Sequence, residues 1–358
     1  MSPTSWTLYN SNEDAWSAML ADCAKAEKSI ELEQFIYVAD EIGQKLIDIC
    51  AKRAAAGVKV RFLWDAGGSF SFFGSNIVAD LRKKGIELVF WKTLIPSYYK
   101  FQDFRSWYLR NHRRTLVIDG EIGYTGSICM RKEGFEWRDT NARFEGPIVA
   151  EMENAFERMW ARAKKQKPLP KRFFANDPEF RYVTSYPAPG RRHIYSELTQ
   201  AIRDAENSID ITTPYFIPPH RVIRLLKSSV KRGVQVRLIL PSETDDYIID
   251  LACRSYFTNL LEGGVKIFQY KGNILHGKSS IIDGKWSTVG TLNLDYGSLL
   301  YNFEANIISK NTEFAAGLSV LFEEDLKVSK ELNLPEWKRR SFMQKLGEFS
   351  TKLIRKML

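Results

Sequence analysis

Cysteine and histidine are both scarce, with four of each in 358 residues. The cysteines (Cys23, Cys50, Cys129 and Cys253) show no C-x-x-C spacing. That speaks against a zinc site or disulfide framework and for reduced thiols in a cytoplasmic protein. So few histidines leave little to build a metal centre from, and neither a metal nor a cofactor is expected. No apolar run approaches the ~18 residues of a spanning helix. The opening MSPTSWTLYNSNEDAW has neither the basic nor the apolar region of a secretory signal, so export is not expected. Acidic residues are the minority: 43 Asp and Glu against 52 Lys and Arg, a net charge of +9. Such an excess favours phosphate-rich partners, namely nucleic acid, anionic lipid or phosphorylated substrates. The remaining composition is that of an ordinary globular chain, and the length suits two domains.

What is abundant is internal repetition. AEKSIELEQFIY (26–37) is matched by AENSIDITTPYF (205–216), and AAAGVKVRFLWD (54–65) by VKRGVQVRLILP (230–241). LRKKGIELVFW (81–91) is matched by LLEGGVKIFQY (260–270), and NHRRTLVIDG (111–120) by LHGKSSIIDG (275–284). Four matches in the same order mean a duplication. The first half spans 1–165 and the second 166–335, joined by the basic, Pro-broken stretch 164–172, with a tail at 336–358. Runs rich in Val, Ile and Phe predict strands at Val58–Trp64, Ile86–Trp91, Val234–Leu240 and Val265–Tyr270. Helical periodicity covers Gly43–Ala55 and Val222–Arg232 between them. Alternation of this kind predicts two α/β halves with substantially parallel sheets, related by a pseudo-two-fold axis.

The repeat richest in polar detail is His112-x-Arg114-x4-Asp119, echoed by His276-x-Lys278-x4-Asp283. In each, His and cation occupy alternate positions entering an apolar strand and so share one face. Two such faces meeting across the pseudo-two-fold would place two imidazoles and two cations around one pocket. One imidazole can attack phosphorus, the other can protonate the leaving alkoxide, and the cations can hold the equatorial oxygens. A nearby Asp would set the tautomer of a histidine. A single histidine at a strand end is ordinarily a satisfied core or surface residue, and His193 and His220, which lack this context, are read so.

At these residues the chain resembles the phospholipase D superfamily, whose signature is H-x-K-x4-D followed by G-[GST]-x-N, present twice. The second copy matches well: His276, Lys278, Asp283, then Gly290-Thr291-Leu292-Asn293, with Glu304 at the downstream acidic position, where the resemblance puts it on substrate. The resemblance implies a two-half fold with the active site at the interface of the halves. It also implies a phosphohistidine intermediate, with Lys278 and Asn293 on phosphate oxygens. Shorter words (Asn111-His112-Arg113, Trp137-Arg138-Asp139-Thr140, Phe144-Glu145-Gly146-Pro147, Pro214-Tyr215-Phe216) are similar to the cardiolipin synthase branch. The first copy departs from the pattern, with Arg114 in place of Lys and Cys129 in place of Asn. Ser127 is a candidate hydroxyl for the missing amide. Which histidine is the nucleophile stays open.

Two features point to lipid. The tail 336–358 carries seven cations, and Phe342, Leu346, Phe349, Leu353 and Met357 recur at helical spacing. Such a helix either lies in the headgroup region of an anionic bilayer or packs its stripe on the domain. Aromatic residues cluster at Phe70, Phe72 and Phe73, and again from Tyr98 to Tyr108, in inserts with no counterpart in the second half; they line an acyl channel, sit at the membrane interface or form local core. The expectation is a phosphatidyltransferase of cardiolipin synthase type acting on anionic phospholipid, phosphatidylglycerol above all, and docking reversibly on the inner face of the cell membrane. The alternatives are a phospholipase D or nuclease with water as acceptor, and a non-catalytic phosphate-binding relative. No nucleic-acid-binding module is visible, although charge alone leaves that partner open. The duplication can complete the site within one chain, so a dimer is not required.

Overall fold

The computed structural model describes residues 3–91, 109–167, 177–244, 246–351 and 355. The aromatic residues expected between Tyr98 and Tyr108, part of the linker, and Lys352, Leu353, Lys356 and Met357 of the tail lie outside this set. The first half holds strands β1 (Ser5–Ser11), β2 (Ser29–Gln34), β3 (Lys59–Asp65), β4 (Ile86–Trp91), β5 (Thr115–Ile118), β6 (Ile122–Gly126) and β7 (Arg138–Glu145). The second holds β8 (Phe180–Ser185), β9 (Ser208–Thr212), β10 (Phe216–Ile217), β11 (Gln235–Pro241), β12 (Lys266–Tyr270), β13 (Ser279–Ile282), β14 (Trp286–Gly290), β15 (Leu294–Asp295), β16 (Glu304–Ser309) and β17 (Ser329–Glu331). Among the described residues the first sheet runs β1-β7-β6-β5-β2-β3-β4. The second, read from its other edge, runs β8-β16-β14-β13-β9-β11-β12-β17. The two orders correspond strand for strand, with β17 added, which is the duplication in three dimensions.

The sheets are mixed rather than substantially parallel. Among the described residues of these two sheets, β2, β3 and β4, and likewise β9, β11 and β12, run parallel, and the other pairs are antiparallel. β5 and β13, which carry the histidine motifs, pair antiparallel to β2 and β9. The cause is local. β5 turns directly into β6 through Asp119-Gly120, and β13 into β14 through Asp283-Gly284, with positive φ at all four residues. A turn that tight joins only antiparallel neighbours.

Three apolar layers hold the chain. Helices Asn12–Lys25 and Glu41–Ala55 pack on the outer face of the first sheet over Ile30, Leu32, Val60 and Phe62. Helices His193–Asp204 and His220–Lys231 do the same for the second over Ile209, Ile211, Val236 and Leu238. Between the sheets, Val117, Ala142 and Phe144 of the first half meet Ile281, Val289, Ala305 and Ile307 of the second. The central strands are thus covered on both faces, which explains their continuous apolar runs. This shared layer holds the two motif strands against one another. Among the described residues no helix is long and apolar enough to cross a membrane.

Candidate active site

His112 and Arg114 enter β5, and His276 and Lys278 enter β13. In each case the chain ahead of the strand crosses to the other half. His112 N donates to Phe303 O (3.0 Å) and Phe303 N to Arg110 O (2.9 Å); Arg138 N donates to Ile274 O (2.9 Å) and His276 N to Arg138 O (2.8 Å). These backbone bonds set the residue after Phe303, Glu304, beside His112, and the residue after Arg138, Asp139, beside His276. Glu304 Oε1 lies 2.9 Å from His112 Nδ1, and Asp139 Oδ1 lies 2.8 Å from His276 Nδ1. Each histidine is therefore held by a carboxylate from the opposite half.

The outward nitrogens meet the cations. Arg114 Nη2 donates to His112 Nε2 at 3.2 Å, and Lys278 Nζ to His276 Nε2 at 3.1 Å and His276 O at 2.7 Å. A guanidinium only donates. The His112 proton therefore sits on Nδ1, given to Glu304, and Nε2 keeps its lone pair. Burial, then Arg114 and Lys278, hold His112 well below its ordinary range. Burial and Lys278 bring His276 down to about 4. Both imidazoles are neutral at neutral pH. Burial, with Arg114 close by, lowers Lys278 to about 7. Against the upward push of burial, His276 and Lys278 keep the Asp139 carboxyl well below the carboxylate range, whereas burial raises Glu304 to about 8. Mutual influence between Arg114, Lys278 and the histidines of both halves marks one electrostatic site. Phe35 meets His112 edge-on (ring centres 4.8 Å apart) and Trp137 leans on His276 (5.1 Å), limiting ring motion.

The structure brings His112, Arg114, His276 and Lys278 together, and Asn293 with them. Its carboxamide hydrogen-bonds Asp295, a buried carboxyl that burial pushes up to about 7. Four other expectations are corrected. Asp119 and Asp283 stand at the far ends of β5 and β13, about 20 Å of extended chain from the histidines. Asp119 accepts from the backbone N–H groups of Glu27, Lys28 and Ser29, and Asp283 from those of Glu206, Asn207 and Ser208. They lock the starts of β2 and β9 and do not orient an imidazole. Glu304, expected on substrate, lies fully buried behind His112. Ser127, expected at phosphate, is turned into the fold: it donates to Thr140 O and accepts from Thr140 N, both at 3.2 Å, and its side chain also bonds Asp139 behind His276.

Asp139 was the functional residue not singled out. Its signal lay in the repeat: Asp139-x-Asn141 corresponds to Glu304-x-Asn306, and both asparagines accept two backbone N–H bonds from the segments starting at Ser127 and Thr291. Asn12 also donates to Asp139 (2.9 Å), and Thr291 Oγ1 donates to Glu304. The fit behind these carboxylates is close: a Cβ on Gly290 would lie 2.4 Å from Ala305 O, so only glycine serves there.

Two neutral histidines that share one electrostatic site in a duplicated α/β fold, each backed by a carboxyl group of the opposite half and flanked by a cation, constitute a phospholipase D-type site, that of a phosphodiesterase or phosphatidyltransferase. Within that class the chain belongs to the family described as cardiolipin synthase, PLD-like domain, which matches residues 19–160 and 198–326. It is 32% identical to cardiolipin synthase A of Proteus mirabilis, over 95% of this chain and 73% of that protein. It is 30% identical to the probable cardiolipin synthase YwiE of Bacillus subtilis, over 97% and 71%. The crystal structure of phosphatidylserine synthase from Haemophilus influenzae shares the fold, with a TM-score of 0.76 at 13% identity, covering 99% of this chain and 95% of that one.

Proposed function

We propose that the protein joins two phosphatidylglycerol molecules into cardiolipin and glycerol through a phosphohistidine. One imidazole Nε2 attacks phosphorus of the first lipid. The bond from phosphorus to the glycerol oxygen breaks, and the other imidazole supplies the proton that glycerol takes away. A hydroxyl of the second phosphatidylglycerol gives its proton to that imidazole and attacks phosphorus, and the P–N bond breaks to release cardiolipin. Arg114, Lys278 and Asn293 hold the phosphate oxygens, and Glu304 and Asp139 keep the Nδ1 protons in place. The arriving phosphodiester anion offsets the two cations that hold both imidazoles neutral, which lets one of them carry the proton needed. One observation carries this reading: two bare Nε2 nitrogens share a buried site with a guanidinium whose Nε and Nη1 have no partner. Unpaired buried cationic donors call for an anion.

Lipid mass spectrometry after mixing the protein with phosphatidylglycerol vesicles tests it, with His112→Ala and His276→Ala as controls. Cardiolipin and free glycerol, absent with either variant, are expected. Phosphatidic acid in place of cardiolipin would make water the acceptor, and cardiolipin formed equally by both variants would overturn the mechanism.

The same reading includes docking on an anionic bilayer. Helix Phe342–Thr351 turns Glu348 and Thr351 inward against helix Tyr247–Arg254, and leaves Phe342, Met343, Leu346 and Phe349 50–76% exposed. Tyr247 and Ile248 continue this patch, and Phe70 and Phe73, stacked with ring centres 5.6 Å apart, form another after β3. Both patches follow the ends of β3 and β11, the sheet edge at which β5 and β13 begin. Of the tail cations, Lys338 is paired with Glu262, Arg340 with Glu348, and Arg355 is bonded to His220, so Arg339 and Lys345 are the described ones left to face lipid.

A further inference from the structure

The two departures from the motif fall in the same half and touch each other. Arg114 and Cys129 occupy the positions that Lys278 and Asn293 hold in the second half, and Arg114 Nη2 donates to Cys129 Sγ at 3.5 Å. Both side chains are buried. Relative to Lys, Arg gains two side-chain heavy atoms; relative to Asn, Cys lacks two. The pairs therefore fill the same space. Their donors also balance, because a guanidinium has five N–H groups, as many as an ammonium and a carboxamide together. A thiol contributes almost none.

A second observation agrees. The Asn293 amide hydrogen-bonds Asp295. The residue at the corresponding place after Cys129 is Arg131, which stacks on Trp137 (4.7 Å) and pairs with Glu133 (3.6 Å). With Cys129 in place of the amide, Arg131 stands where the second half has the carboxyl that its amide bonds. Meanwhile Arg114 commits only Nη2, and its Nε and Nη1 are buried without partners.

We infer that Arg114 and Cys129 form one unit, in which a single guanidinium does in the first half what Lys278 and Asn293 do together in the second. The inference rests on the phosphate-binding reading of the site. Arg114 places one arm on His112 Nε2 and turns its remaining donors to two oxygens of the phosphodiester, a fork that an ammonium cannot form. Cys129 is a positioning residue: it leaves the room that this fork occupies.

The test is the set Arg114→Lys, Cys129→Asn, the double variant, and Cys129→Ala. Each is assayed for cardiolipin formation from phosphatidylglycerol vesicles and for binding of inorganic phosphate. Arg114→Lys should lose about 100-fold in turnover, the cost of removing one preorganised oxyanion donor. Cys129→Asn should lose at least about tenfold, because the larger side chain crowds the guanidinium. The double variant should return to within about fivefold of the parent, far from the product of the two losses expected of independent sites. Cys129→Ala, which keeps the space, should lose several-fold less than Cys129→Asn. Losses that multiply in the double variant, or a Cys129→Ala loss as large as that of Cys129→Asn, would overturn the pairing while the parent remains active. A parent that neither turns over lipid nor binds phosphate would overturn the phosphate reading and the pairing with it.

Discussion

Replacing Lys278 with methionine should stabilise the fold while abolishing turnover, and the gain should depend on pH. The side chain is fully buried near Arg114, and its ammonium is held to about 7 against an ordinary value of 10.5. At about 1.4 kcal/mol for each pH unit of that gap, keeping the lysine charged costs the folded state on the order of 5 kcal/mol below pH 7. Methionine has similar length and no charge to desolvate. It gives up the bonds to His276 O and Nε2, together about 2 kcal/mol. The net gain at pH 6 is then about 3 kcal/mol. Between pH 7 and 10.5 the unfolded chain holds the lysine proton and the folded one does not, so the parent gains stability as pH rises. By pH 9 the remaining cost is about 2 kcal/mol, and the advantage of methionine should vanish. Urea unfolding of Lys278→Met and parent at pH 6 and pH 9 reads this directly. A variant less stable than the parent at pH 6, or a difference that does not shrink by pH 9, would refute the reasoning.

Asp119→Ala and Asp283→Ala should each lower stability by about 2 kcal/mol, through three lost backbone bonds apiece, yet leave turnover per folded molecule unchanged. A tenfold fall in turnover of folded Asp119→Ala, measured beside its denaturation curve, would return that residue to the chemistry. Changing Phe342, Leu346 and Phe349 together to serine should weaken binding to phosphatidylglycerol vesicles by 100-fold or more, at roughly 1.5 kcal/mol per inserted side chain. Sedimentation with vesicles measures it, and unchanged binding would discard the docking face.

The duplication, the strand and helix positions and both histidine motifs were legible in the chain, because each rests on local spacing. Val58–Trp64 was read as a strand and is β3, displaced by one residue; Gly43–Ala55 lies within the helix Glu41–Ala55, which Asp40 caps through Ile42 N and Gly43 N. The antiparallel course of β5 and β13 was also written locally, in Asp119-Gly120 and Asp283-Gly284, but strand–helix alternation elsewhere outweighed it. The direction of the tail helix was half legible. Spacing showed an apolar stripe, and only the burial of Glu348 beside Arg340 shows that Phe342, Leu346 and Phe349, its described part, face out.

The sequence by itself determined the chemistry, since two H-x-[KR] segments in two related halves supply imidazoles and cations in equal number. The tertiary structure alone decided which carboxylate serves which histidine. Within each motif the Asp follows the His along an extended strand, which carries the two apart. The partner must come from a different strand, and the backbone bridges from Phe303 to His112 and from Arg138 to His276 bring it from the opposite half. A contact made across the interface of two halves leaves no spacing in the chain to read.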